Sequence, residues 1–172
     1  MKFFTTAALL ALAVAIVSAD VATVKADVAA IDSAVTDLNN KLASNNINYF
    51  SALAIHDSAQ ALDKKIQTAT SDVNSNTETV TESDAQDIIN TLTGTEVNVK
   101  TATDRLVTLK PKFDSLGVSN LAKQDIAALS KDTDAFGKAL VAAAPADLQS
   151  KAQSLADEFN ADLKNAATAY GA

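Results

Sequence analysis

Few residue types in this chain could carry out catalysis, and their spacing assembles no recognisable catalytic site. The 172 residues include one histidine, His56, and no cysteine. A single histidine cannot form a histidine-based metal cluster, and the lack of cysteine excludes thiolate metal sites, cysteine nucleophiles and disulfides. No Gly-x-Ser-x-Gly elbow occurs, and the four glycines are too scattered for a phosphate-binding loop. We therefore predict no catalytic residue, no metal site and no cofactor, and we interpret His56 as a surface or packed residue.

Acidic side chains are the remaining candidates for acid–base chemistry, and several stand close together in the sequence. Glycosidases need two carboxylates across a cleft, one of them against an apolar wall that keeps it protonated. No feature of the sequence predicts such a cleft here. On amphipathic helices, neighbouring carboxylates usually lie on the solvated face. We expect this for three pairs, which are Asp84 with Asp87, Asp132 with Asp134, and Asp157 with Glu158.

The charge balance of the chain is acidic, with 14 Lys and Arg against 21 Asp and Glu and a formal net charge of −7. Nucleic-acid phosphates and anionic lipid head groups both require a basic surface. We therefore predict no nucleic-acid partner, and we attribute the negative charge to solubility.

The first nineteen residues have the layout of a secretory signal peptide. Lys2 is followed by an apolar stretch, residues 3–17, and then by the compact residues Val17-Ser18-Ala19 at a suitable cleavage position. We predict cleavage after Ala19, with an uncleaved signal anchor as the alternative. No later apolar run approaches the roughly 20 residues that cross a bilayer. The predicted organisation is a signal peptide, 1–19, a single domain, 20–172, and secretion without a transmembrane anchor.

Apolar residues recur at helical spacing through the whole of 20–172. The first such stripe has steps of three and four and consists of Val21, Val24, Val28, Ile31, Val35, Leu38 and Leu42. Similar stripes follow within residues 47–73, 88–116, 126–143 and 148–166. Abundant alanine, two prolines and four glycines favour long helices. The prediction is an all-α antiparallel bundle of about five long amphipathic helices. A continuous coiled coil and a β fold fit less well, because the heptads break and turn signals are scarce.

Helix boundaries can be predicted from a few residues. Residues 74–83 are rich in Ser, Thr and Asn and are expected to form the longest loop, with Ser83 as the cap of the third helix. That helix should continue past Pro111 with a kink and end at a left-handed Gly117. Pro145 fits the first turn of the fifth helix.

The sequence does not explain what the large apolar content of the five stripes is for. Many alanines and few aromatic residues lie between the large aliphatic ones. The apolar helix faces either close into a tight core or leave an elongated apolar slot between them. The sequence alone does not decide between these two alternatives.

The body of the chain resembles a known fungal group. The resemblance rests on the leader, the acidic cysteine-free helical body, the opening Asp20-Val21-Ala22-Thr23-Val24-Lys25-Ala26-Asp27 with Ile31-Asp32, and the later Ala143-Ala144-Pro145-Ala146-Asp147-Leu148. These features are similar to the hydrophobic surface-binding protein A family, which includes antigenic cell-wall galactomannoproteins. The resemblance covers essentially all of 20–172.

The resemblance implies a secreted or wall-associated helical bundle that is not an enzyme. Some members adsorb to hydrophobic surfaces and help to recruit secreted polyester-degrading hydrolases, and others enclose fatty acids in an apolar tunnel. A long Ser/Thr-rich tail of the kind found in some wall mannoproteins does not follow Tyr170. We therefore expect a freely secreted form.

Two functions are compatible with these features. The first is a carrier that holds a fatty acid or other lipid between its helices, and the second is an adhesion protein whose helices splay onto a hydrophobic surface. A structural cell-wall mannoprotein or antigen without a small-molecule ligand is the alternative. For the carrier, the residues expected to line the lipid are Ile55, Leu62, Ile66, Leu92, Val99, Leu106, Phe136, Leu140 and Phe159.

Overall fold

Five α-helices make up the part of the chain described by the computed structural model, residues 19–172, and this part contains no β-strand. The helices are α1, Val21–Leu42; α2, Tyr49–Ser75; α3, Glu82–Leu116; α4, Ser119–Ala143; and α5, Ala146–Tyr170. The predicted all-α bundle of five helices is therefore confirmed. The predicted signal peptide lies outside the described residues except for Ala19.

Polar side chains at the helix starts bind the backbone N–H groups that a helix leaves without partners. Asp20 accepts from the N–H of Thr23 at 2.6 Å, and Asn48 forms a reciprocal capping box with Ser51. At α3, the cap is Thr81, and the prediction of Ser83 was wrong.

The cap of α3 lies at Thr81 because its side chain makes two local hydrogen bonds. Its hydroxyl accepts from the backbone N–H of Asp84 at 3.1 Å and donates to the Asp84 carboxylate at 2.6 Å. The helix therefore begins at Glu82, earlier than predicted.

Gly117 ends α3 as predicted, whereas Pro145 is the N-cap of α5 and does not lie in its first turn. Helix α3 runs through Pro111 and ends at Gly117, whose φ of 72° is left-handed. Pro145 stands immediately before the first turn of α5. These two residues mark the short connections on either side of α4.

The helices pack as a closed ring in the order α1, α2, α4, α5, α3. Each helix contacts the next one in this order, and α3 closes the ring on α1, whereas α3 and α4 touch only slightly. With neighbouring axes about 9 Å apart, the centre of a five-membered ring lies about 8 Å from each axis, against about 6 Å in a four-membered ring. A ring of five therefore needs larger side chains to fill its centre.

The apolar stripes face this centre. Val28, Val35 and Ile126 are almost completely buried, as are the small residues Ala69 and Ala166. None of the helices in residues 19–172 carries a segment long and apolar enough to cross a membrane.

Candidate functional site

A cavity of about 120 Å³ occupies the centre of the helix ring. One buried water needs only about 10–15 Å³ on the same measure, so this space is much larger than an ordinary packing defect. All five helices contribute to its wall. The alternative of a completely filled core is therefore wrong for this chain.

The cavity is long and runs parallel to the helices. On α3 its wall extends from Ala85 to Leu106, which corresponds to about 30 Å of helix. At one end it reaches the α2–α3 loop, where Asn76 and Val80 line it together with Ala144 from the α4–α5 turn. The shape is that of a slot for an elongated molecule.

Most of the residues predicted from sequence lie together in the wall of this cavity. Eight of the nine line it, and they are Leu62, Ile66, Leu92, Val99, Leu106, Phe136, Leu140 and Phe159. Ile55 instead lines a second pocket, because it stands near the start of α2, where the bundle closes against Phe113 and Val118. Contact of any of the nine with a lipid stays a prediction.

Sequence reasoning missed the contribution of α1. Its stripe was recognised as helical, but none of its members was proposed as a wall residue. The cavity is lined by five of them, which are Val21, Val24, Ile31, Val35 and Leu38. The uninterrupted spacing of this stripe was the available signal, since a helix so regularly apolar must face the centre of the ring.

Polar atoms are rare in the cavity wall. Thr95 is fully buried, and its hydroxyl donates to the Asp32 carboxylate at 2.7 Å and lies 3.1 Å from the carbonyl oxygen of Thr91. Thr103 donates to the carbonyl oxygen of Lys100 at 2.9 Å. Both hydroxyl protons are thus used within the protein, so the wall they form has few free donors for a polar ligand.

A second, smaller pocket of about 30 Å³ lies towards the α1–α2 loop. It shares Leu38, Leu106 and Leu129 with the wall of the central cavity. These three leucines therefore lie between the two spaces.

The second pocket contains the single histidine of the chain. His56 Nδ1 lies 2.8 Å from the carboxylate of Asp125, and its Nε2 lies 3.2 Å from Nε2 of Gln60. Burial raises the pKa of Asp125, and the contact with His56 opposes this rise. Nδ1 is engaged across the α2–α4 interface and Nε2 within α2, which fits the interpretation of His56 as a packed residue. The pairing was missed because Asp125 is 69 residues away.

The carboxylate pairs were predicted to lie on solvated helix faces, and one of their members does not. Asp157 and Glu158 are exposed, as expected. The prediction of a solvated face was wrong for Asp132, whose side chain is only 14% exposed. It packs across the α2–α4 interface, where Gln67 Nε2 donates to it at 2.6 Å.

Five helices in a ring around a long apolar cavity define a helical-bundle protein with an apolar internal space. Residues 21–142 match the family model described as hydrophobic surface binding protein A. The chain belongs to this family, as the sequence resemblance implied. Among curated proteins, no sequence gives a significant match.

Solved structures share the whole architecture. AfMP4p in complex with palmitic acid has a TM-score of 0.82 at 28% identity, over 88% of this chain and 99% of that one. Ligand binding domain 1 of the Penicillium marneffei MP1 protein, complexed with arachidonic acids, has a TM-score of 0.79 at 17% identity, over 87% and 98%. Domain 2 of the same protein, complexed with multiple arachidonic acids, has a TM-score of 0.78 at 13% identity, over 90% and 97%. The two MP1 domains show the shared fold.

Proposed function

We propose that this protein is a binding protein and not an enzyme, and that it holds a long-chain fatty acid or a similar single-chain lipid in the central cavity. The observation that carries the proposal is the cavity itself, whose wall follows about 30 Å of α3 and is almost entirely apolar. The likeness to AfMP4p, which was solved with palmitic acid, supports the same ligand class.

The energetics of burial are sufficient for useful affinity. About 16 methylene groups at roughly 0.8 kcal/mol each contribute about 12–13 kcal/mol before costs. Lost translational and conformational freedom removes several kcal/mol of this. The remainder corresponds to micromolar or tighter binding without a charged anchor in the wall.

Direct chemical analysis tests the proposal. We expect organic extraction of the protein, purified from a eukaryotic secretion host, to release fatty acids in near-stoichiometric amounts. The delipidated protein should then bind a fluorescent fatty acid that unlabelled palmitate displaces. A protein that carries no lipid and binds none of the probe would overturn the proposal.

A pair of matched substitutions locates the site. Ala102 lies in the cavity wall and is 5% exposed, whereas Ala135 is exposed on α4. Ala102→Phe places a ring in the slot and should weaken probe binding about tenfold or more, since it removes the space for several methylenes. Ala135→Phe adds the same ring outside and should leave binding unchanged. Equal affinities in the two variants would place the ligand elsewhere.

A second function, adsorption to hydrophobic surfaces, is favoured by an aromatic tip at the start of α2. Phe50 is 80% exposed and Tyr49 is 51% exposed, and their rings form an edge-to-face pair with centroids 6.0 Å apart. Adjacent exposed aromatic side chains form a contiguous apolar patch, and such patches can mark contact surfaces. We propose that this tip makes the first contact with a wax, polyester or similar surface.

Adsorption to hydrophobic beads tests the aromatic tip. Tyr49→Ser with Phe50→Ser should reduce the bound fraction severalfold, because most of the exposed aromatic area is lost. Val97→Ser removes another exposed apolar side chain, 60% exposed on α3, and should have little effect. Recruitment of a secreted hydrolase to the surface rests on the family resemblance alone.

A protein that binds neither lipid nor beads would favour the alternative function, a structural cell-wall protein without a small-molecule ligand.

The predicted signal peptide completes the proposal, which places the protein outside the cell. N-terminal sequencing of the protein from culture medium should begin at Asp20. Retention in the membrane fraction with an intact N-terminus would instead indicate a signal anchor.

A further inference from the structure

At three interfaces between neighbouring helices, two carboxyl groups lie close enough to interact. In the first, Asp27 of α1 meets Asp72 of α2. Burial and the hydrogen-bond contact with Asp72 raise the pKa of Asp27 to about 6, and Lys65 opposes this only weakly. One carboxyl oxygen of Asp27 is buried and has no partner. Two deprotonated carboxylates offer no donor, so this contact requires a proton.

The second contact joins α2 and α4 through Asp63 and Asp132. The Gln67 amide nitrogen donates to both carboxylates, at 2.8 Å and 2.6 Å, and so keeps them together. Burial, reinforced by Asp132 and more weakly by Asp125, raises the pKa of Asp63, while Lys131 opposes the rise. The other carboxyl oxygen of Asp63 is buried without a partner.

The third contact joins α3 and α5 through Glu96 and Asp162. Burial, then Asp162 and Glu158, raise the pKa of Glu96, and Lys100 opposes this. Lys100 is itself paired with Asp104 at 2.9 Å. One oxygen of Asp162 is buried and has no partner.

All three carboxyl pairs adjoin the central cavity. Five of their six members stand next to a wall residue in sequence, and the adjacent residues are Val73, Leu62, Thr133, Thr95 and Leu163. Asp27, the sixth, lies one turn from Val24 and Ile31 of the wall. A change in the separation of these pairs therefore changes the width of the cavity.

Among the described residues, the other two interfaces of the ring, α1–α3 and α4–α5, have no such carboxyl pair and are joined by bonds between a carboxylate and an amino or amide group. Lys25 of α1 binds Asp84 and Asp87 of α3 at 2.7 and 2.8 Å. Asn160 of α5 donates to Asp134 of α4 at 3.3 Å. Helix α2 is consequently the helix with a carboxyl pair on both of its edges.

We propose that the three carboxyl pairs form a proton-operated latch on the central cavity, a regulation that rests on the lipid-binding function proposed above. In acid, each pair shares one proton, and an O–H···O bond holds the two helices together. Loss of that proton leaves two carboxylates facing each other, and their repulsion loosens the interface. Helix α2 moves most, and the cavity opens for lipid exchange.

The sign of the pH dependence follows from the raised native pKa. The native state holds the latch protons more tightly than the unfolded chain does, so the stability from each pair is complete below the unfolded pKa. For Asp27 it is lost as the pH rises from about 4 to about 6. His56 and Asp125 also meet across the α2–α4 interface, where His56 Nδ1 lies 2.8 Å from the Asp125 carboxylate.

The first test needs no ligand. Denaturant unfolding of the lipid-free protein should give a free energy of unfolding that falls between about pH 4 and pH 6, and α2 amides should show faster hydrogen exchange at the higher pH. A free energy that stays level or rises over this interval would overturn the latch, whatever the protein binds.

The second test measures lipid release with a probe that does not titrate, a fluorescent long-chain alcohol. Release from the unmodified protein should be about tenfold faster at about pH 7 than at about pH 4.5. In the triple variant Asp27→Asn, Asp63→Asn, Glu96→Gln, the amides donate to the partner carboxylates at any pH, and release should be slow throughout. The control variant carries the same charge change at exposed positions, Asp37→Asn, Asp147→Asn and Asp157→Asn, and should keep the pH dependence.

The outcomes separate the two proposals. Binding at both pH values with a pH-independent release rate overturns the latch and leaves the lipid site intact. No binding at any pH overturns the lipid site, and the unfolding measurement then decides the latch alone. If the triple variant does not fold, Asp27→Asn by itself should reduce the loss of stability between about pH 4 and pH 6, and an unchanged loss contradicts the proposal.

Discussion

Thr95 shows how a polar side chain is accommodated in the wall of an apolar cavity. It is completely buried, yet its hydroxyl donates to Asp32 on the neighbouring helix α1. The bond ties α1 to α3 and leaves the hydroxyl little capacity to hold a ligand head group. We conclude that the role of Thr95 is structural.

Replacing Thr95 by valine separates structure from binding. Thr95→Val keeps the shape and removes a hydrogen bond to a charged acceptor, so the free energy of unfolding should fall by about 1–2 kcal/mol. Lipid affinity should not decrease. Thr108→Val, the same change at an exposed position of α3, should cost less than about 0.5 kcal/mol. Urea unfolding and probe titration of both variants check this, and a loss of affinity confined to Thr95→Val would give that hydroxyl a binding role.

At the scale of elements, the sequence predicted what depends on neighbours along the chain. The period of apolar residues located the five helices, and Gly117 marked the end of α3 because a left-handed residue terminates a helix. Eight of nine proposed wall residues were also found by this period. The order of helices around the ring is a tertiary property, so contacts such as His56 with Asp125 and Asp63 with Asp132 could not be predicted. Ile55 has the same helical spacing but lines the second pocket, and its contact with lipid stays a prediction.

Helices α4 and α5 approach closely at a glycine. A methyl group at Gly137 would lie 2.9 Å from Cβ of Ala156, whereas one at Gly94 would meet nothing within 4 Å. Gly94→Ala should raise the free energy of unfolding by about 0.5–1 kcal/mol, since alanine favours the helix. Gly137→Ala gains the same propensity but overpacks the interface, at a cost of about 1–3 kcal/mol.

We therefore expect Gly137→Ala to be net destabilising by about 1 kcal/mol. The measurement is urea unfolding of both single variants and of Gly137→Ala with Ala156→Gly. The double variant transfers the methyl group from one helix to the other, so a double-mutant cycle should show favourable coupling of about 1 kcal/mol. If the effects of the two single substitutions simply add, the methyl groups at positions 137 and 156 do not interact, and the expected clash between α4 and α5 is absent.

At the scale of the whole molecule, the cavity makes ligand and stability interdependent. A ligand that binds only the native state at 100 times its Kd adds about 2.7 kcal/mol to the free energy of unfolding. For a domain of this size we expect loading with palmitate to raise the Tm by about 5–10 °C. Calorimetry of delipidated and reloaded protein measures this. Ala102→Phe, with its slot filled, should show a much smaller shift, and equal shifts would argue against the cavity as the site.

The central cavity also determines how the molecule responds to compression. Space inside a folded protein disappears when the chain unfolds, so hydrostatic pressure favours unfolding in proportion to the voids eliminated. The cavity of about 120 Å³ should therefore make the delipidated protein unusually sensitive to pressure. A bound acyl chain fills the empty volume of the cavity, so the lipid-loaded protein should unfold only at a higher pressure.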